Sequence, residues 1–143
     1  MTDKYEITDT THPAHLRRIR ALHDIPRHGV KAGDLGGFIE SEGNLSQKGD
    51  CWVADNAVVS GEARVTGNAT ISGYALVFGS ATVDGYAHVS GNTRISGHAE
   101  VSGDATVDGY AHVSGNAKVY GDATVDGDAT VSGNTRISGT IRT

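Results

Sequence analysis

Seven histidines, one cysteine and a run of aspartates are the residues of this chain best suited to chemistry. An imidazole can act as a general base or bind a metal ion. His88, His98 and His112 lie in a repetitive stretch at intervals of ten and fourteen residues, while His12, His15, His23 and His28 are loosely spaced near the start. A zinc centre needs three or four ligands around one point, and neither spacing supplies them. Cys51 has no partner for an internal disulfide, which fits a reducing compartment, and a single thiol is more often a small buried apolar group than a nucleophile. The acids are denser. Seven stand between Asp84 and Asp128 against only Arg94 and Lys118, a local charge of −5. Asp104, Asp108, Asp122, Asp126 and Asp128 form a candidate acidic interaction surface.

What these residues can do depends on the elements that position them. Every sixth residue from Val53 to Ile137 is Val or Ile, and the residue two later is glycine at every place from Gly61 to Gly139. Four residues after each Val or Ile stands alanine, replaced by Thr93, Thr135 and finally Ile141. A helix cannot use a six-residue period, because the valines would drift around the cylinder. Short strands can: Ala-x-Val sets the small and the branched residue on one face, and glycine lets the chain turn. The pattern predicts an all-β chain coiled into a single-stranded parallel β-helix, three hexads per coil and about five regular coils. Valine, isoleucine and alanine fill its thin core, so one Trp and two Phe suffice.

Residues eighteen apart then stack at about 4.8 Å. The outward rows read Trp52, Thr70, His88, Thr106, Thr124; Val58, Leu76, Arg94, His112, Thr130; and Arg64, Thr82, Glu100, Lys118, Arg136. His88, His98 and His112 fall on different rows or hexad positions, and a solvated surface role is expected for them. Glu100 and Lys118 are neighbours able to pair. Asp104 stacks on Asp122 and Asp108 on Asp126, an unfavourable arrangement that invites a compensating partner. An ice-binding array is excluded, since Ser72, Asp108 and Asp126 stand where it would need threonine. Val58, Leu76 and Phe78 form an apolar patch that the N-terminal segment is expected to cover.

The segment VKAGDLGGFIESEGNLSQKGDCWVADNAVVSG, with the hexads that follow, resembles the YdcK-like family of bacterial and prophage proteins. The resemblance covers about Leu16 to Thr143 and implies a left-handed β-helix of the LpxA-like superfamily, with no settled activity. AHVSG at Ala87 and Ala111 is similar to bactofilin repeats, which implies the right-handed alternative and a self-assembling polymer. Hexapeptide β-helices also include acyltransferases, which resemble one another in a loop projecting from the prism and a histidine base. This chain has no insertion between Val53 and Ile141, so no residue is assigned a catalytic role, and no cofactor or metal is expected.

Residues 1 to 52 break the period and are expected to cap the first coil, with KYEIT and LRRIRAL as a hairpin and Ile39, Leu45 and Cys51 as an irregular coil; residues 53 to 143 form the β-helix. The last hexads leave Ile137 and Ile141 on an open coil, which predicts a homo-oligomer, a dimer through the C-terminal coils ahead of a trimer through the side faces. The net charge of −5 excludes nucleic acid as a partner. No apolar run reaches membrane-spanning length and the start MTDKYEITDTTHPAHLRR lacks a hydrophobic signal region, so no membrane partner and a cytoplasmic location are expected. The expected function is a non-enzymatic scaffold or protein-binding module with a host protein as partner.

Overall fold

Glycine sets the corners of the structure. The computed structural model describes residues 3–11 and 16–142; His12 and His15 lie outside them. From Gly61 to Gly133 the column glycines have φ between 62° and 72°, the left-handed region that side chains resist. They also stack closely: a Cβ on Gly91 would lie 2.7 Å from the Gly109 carbonyl oxygen. Asp55 stands in the same column with φ 56°, and its carboxylate accepts the Gly73 N–H at 3.0 Å. Aspartate tolerates this conformation because its short polar side chain bonds locally.

Between corners run two-residue strands, beginning with β4 (Trp52–Val53), β5 (Val58–Val59) and β6 (Arg64–Val65). Each pairs in parallel with the strand eighteen residues on. The Trp52 ladder forms face 1, the Val58 ladder face 2 and the Arg64 ladder face 3. All three rows are those that the hexad count predicts. The molecule is an all-β solenoid of about 6 turns. This register follows from three hexads per turn for either sense of winding. Inside, the valine and isoleucine column from Val53 to Val125 is 0% exposed and the alanines beside it are buried.

The start of the chain closes one end. β1 (Tyr5–Thr11) and β2 (Arg17–Ala21) form the expected antiparallel hairpin, and β3 (Leu35–Ile39) lies between β2 and β5 in the sheet of face 2. The irregular coil is out of phase as expected: Ile39 pairs with Val59 and Leu45 with Val65, twenty residues apart instead of eighteen. Side chains stand in for a missing strand along its edge. Asn44 Nδ2 donates to the carbonyls of Gly61 at 3.1 Å and Ala63 at 2.9 Å, and buried Lys4 donates through Nζ to the Cys51 carbonyl at 2.7 Å. The Tyr5 hydroxyl donates to the Leu45 carbonyl at 2.6 Å; burial, with Glu42 nearby, holds this phenol protonated well above the ordinary tyrosine range. Backbone acceptors that water would otherwise have to satisfy are thus bonded.

The other end corrects the count. Ile141 was expected in the alanine column with Ala123, but in β19 (Thr140–Arg142) it pairs with Val125, sixteen residues away. Gly139 does not adopt the left-handed conformation of the other column glycines, and the last corner is cut short by two residues.

Candidate functional site

Trp52 is the outward residue of β4, yet only 1% of it is exposed. The cap covers it. β3 passes so close that a Cβ on Gly36 would lie 2.7 Å from Trp52 Cζ2, so only glycine fits. Next along the row, Thr70 is also buried, and its Oγ1 lies 2.9 Å from His28 Nδ1 and 3.1 Å from Nε2. His28 ends the 3₁₀ turn Pro26–His28, where proline presets the first residue and Gly29, at φ 67°, ends the turn. Beside it, Arg27 Nε meets Asp50 Oδ2 at 3.3 Å, and the guanidinium sits 5.3 Å from the centre of the Tyr86 ring. Burial, then the charge on Arg27, pushes His28 below the ordinary histidine value of 6.5; His88 adds to this, while the carbonyl and carboxylate of Asp50 oppose it.

Among the described residues, the N-terminal segment covers the head of face 1 and not the patch of Val58, Leu76 and Phe78. Val58 and Leu76 are half-buried and Phe78 is 37% exposed. The reason lies in the pairing: β3 joins β5 edge to edge, Phe38 beside Val58, so β1, β2 and β3 extend the sheet of face 2 instead of lying over it. The Arg18 guanidinium stacks 4.3 Å from the centre of the Phe38 ring and ends the apolar row.

Four of the five aspartates flank the lower half of face 1, and Asp128 stands at the corner between faces 1 and 2. Asp104 and Asp122 lie on one side of Thr106 and Thr124, Asp108 and Asp126 on the other; Asp104, Asp122 and Asp128 are exposed. The Asp104 N–H donates to Gly121 O at 2.8 Å and the Asp108 N–H to Val125 O at 2.9 Å, so consecutive coils keep these acids in register. On face 3, Glu100, Ser102, Lys118, Tyr120 and Arg136 line a shallow groove of about 310 Å³, with the expected pair of Lys118 Nζ and Glu100 Oε2 at 3.6 Å. Partial burial, and then Glu100, raises the Asp84 carboxyl at its border. Ile137 and Ile141 are half-buried against the end of the core. There β17 (Thr130–Val131), β18 (Arg136–Ile137) and β19 each form the last strand of their sheets.

The histidines of the repeats stay apart: His88 is on face 1, His112 on face 2 and His98 at the corner between faces 2 and 3, all exposed. Among the described residues, no group of three His, Cys, Asp or Glu side chains is placed to hold a metal ion. Nor is any helix among the described residues long and apolar enough to cross a membrane. Among the described residues, His28, loosely spaced in the sequence, is the one cap histidine that the fold brings against a face. No periodicity marks it; the Pro26 and Gly29 that frame its turn are the only signal.

Stacked coils with parallel ladders define a β-solenoid. Residues 117–133 match the YdcK β-solenoid repeat family, and the match together with the coils supports a YdcK-like β-helix protein. No curated protein matches the chain.

Proposed function

We propose that this solenoid is a non-enzymatic scaffold that binds a protein partner through its faces, with the acid-lined half of face 1 as the principal contact. The observation that carries this reading is the unbroken stacking of strands from β4 to β18, which presents functional groups as flat, regular rows with no projecting loop to enclose a small substrate. Stacked aspartates repel one another, and a lysine- or arginine-rich segment laid along them relieves that repulsion. Affinity capture from a bacterial lysate tests it, comparing the parent with a variant carrying Asp104→Asn, Asp108→Asn, Asp122→Asn and Asp126→Asn. A partner retained by the parent and lost by the variant supports the reading; one retained equally by both removes this face as the contact.

Self-association is a second reading, favoured by β17, β18 and β19 with their unpaired edges beside Ile137 and Ile141. Light scattering on Ile137→Asp/Ile141→Asp distinguishes it: a mass that does not change from the parent's removes the end-to-end contact.

A further inference from the structure

Face 3 carries charge of both signs, sorted by height. Two rows run side by side there: Thr82, Glu100, Lys118 and Arg136 in the strands, and Asp84, Ser102 and Tyr120 two residues further along each coil. Backbone hydrogen bonds hold the second row in the same register: Asp84 N–H on Val101 O, Ser102 N–H on Val119 O and Tyr120 N–H on Ile137 O, each at 2.9 Å. The groove described above therefore has two carboxylates at its upper end and two cations at its lower end. Each end repels itself. Partial burial and then the nearby Glu100 raise the Asp84 carboxyl, so the two acids feel one another. Lys118 and Arg136 adjoin in consecutive coils, the one place in the ladders from β4 to β18 where two lysine or arginine side chains stack. Pairing within the groove relieves little of this. Lys118 Nζ lies 3.6 Å from Glu100 Oε2, with both side chains about half exposed, whereas a close charge-assisted contact measures about 2.8 Å. Among the described residues, no carboxylate pairs with Arg136 and no cation with Asp84.

We propose that this groove binds a small zwitterion, a phosphate monoester that also carries an amine, with its phosphate on Lys118 and Arg136 and its ammonium on Asp84 and Glu100. A monoester is doubly charged near neutral pH and offers several acceptor oxygens, so one group bridges two stacked cations, Arg136 through its planar fork. A diester, as in a lipid headgroup, has a single charge and matches only one of them. The hydroxyls of Ser102 and Tyr120 stand beside the charged row and supply further hydrogen bonds to either end of the ligand. Glu100 and Lys118 are one coil apart, about 4.8 Å, a distance that a short spacer such as that of O-phosphoethanolamine spans. At about 310 Å³ the groove is at the small end of ligand sites, which suits a molecule of this size. It is open, so the ligand is held by its charged ends and not enclosed. This inference does not depend on the acid-lined half of face 1.

The test titrates O-phosphoethanolamine into the isotope-labelled full chain at about pH 7.5 and constant ionic strength, following backbone amides by NMR. Inorganic phosphate and ethanolamine are titrated separately. The expected result is saturable shifts at Ser102, Lys118 and Tyr120, with O-phosphoethanolamine bound about tenfold or more tighter than either half alone, because its two contacts are linked. Arg136→Gln is expected to weaken O-phosphoethanolamine and inorganic phosphate alike, by about tenfold. Asp84→Asn separates the two ends: it weakens O-phosphoethanolamine by about threefold and leaves inorganic phosphate bound at least as well as before. Glu100→Gln serves as the second variant should Asp84→Asn fail to fold, with the same expected split. The proposal is overturned by shifts that do not saturate, by equal affinity for O-phosphoethanolamine and inorganic phosphate, or by an Asp84→Asn or Glu100→Gln variant that weakens the two ligands equally.

Discussion

The nine residues VSGNTRISG occur twice, at Val89–Gly97 and at Val131–Gly139, and the two copies live in different surroundings. In the first, Val89 lies on face 1 and Ile95 on face 2, with a coil above and a coil below; Arg94 pairs with both Leu76 and His112. In the second, Val131 lies on face 2 and Ile137 on face 3, in strands paired on one side only. Ile95 is 0% exposed, whereas Ile137 is half-buried. Thr93 is also 0% exposed and its hydroxyl has no hydrogen-bond partner, while Thr135 is exposed and donates to the Ser132 carbonyl at 2.7 Å. Local sequence sets the turn and the strand. Position in the stack sets everything that a substitution will cost, because in a solenoid the contacts come from the neighbouring repeats.

The core isoleucines should show the widest difference. Ile95→Ala leaves a cavity closed on all sides and is expected to destabilise by about 3 kcal/mol, against about 1 kcal/mol for Ile137→Ala, where the end of the core can relax. Urea unfolding of the two variants measures both, and equal losses would mean that the last coil is packed as tightly as the middle. The glycines come next. Gly91 and Gly133 have φ of 72° and 66°, so alanine at either carries the left-handed strain of about 1 to 2 kcal/mol. Only at Gly91 does the added methyl also meet backbone; at Gly133 nothing lies within 4 Å. Gly91→Ala should therefore lower the melting temperature clearly further than Gly133→Ala.

For the threonines the sign itself is expected to reverse. Thr93→Val keeps the shape and removes a buried hydroxyl that bonds to nothing, which should stabilise by about 1 kcal/mol. Thr135→Val breaks a hydrogen bond in a solvated place and should destabilise by about 0.5 kcal/mol. Stabilisation at both sites would show that the Ser132 contact contributes nothing.

This contrast also marks how far the sequence could be read. The three rows, the buried valines and the Glu100–Lys118 neighbours follow from the six-residue period alone, because stacking at eighteen residues is a property of the repeat. The cap is different. Lys4 on the Cys51 carbonyl, Asn44 on Gly61 and Ala63, and His28 on Thr70 join residues that share no period, and only the folded chain brings them together. The slip at Ile141 was hidden because Gly139 has the right residue type, yet it leaves the left-handed conformation that Gly133 keeps in equally open surroundings.

The arginines of the two copies give the smallest difference and the one most open to experimental control. Arg94 stands between Leu76 and His112, whereas Arg136 is stacked directly on Lys118, a like charge, with no strand beyond it. Lys118 is already paired with Glu100 on its other side at 3.6 Å, so Arg136 adds repulsion to a neighbour that gains little from a second contact. Arg136→Gln is therefore expected to stabilise by a few tenths of a kcal/mol at low ionic strength. The gain should fade near 0.5 M salt, where exposed charges are screened. Arg94→Gln should show a smaller dependence, since neither row neighbour of Arg94 is a lysine or an arginine. A salt dependence of equal size at the two positions would place the effect in the overall charge of the molecule, and not in the stacking of Arg136 on Lys118.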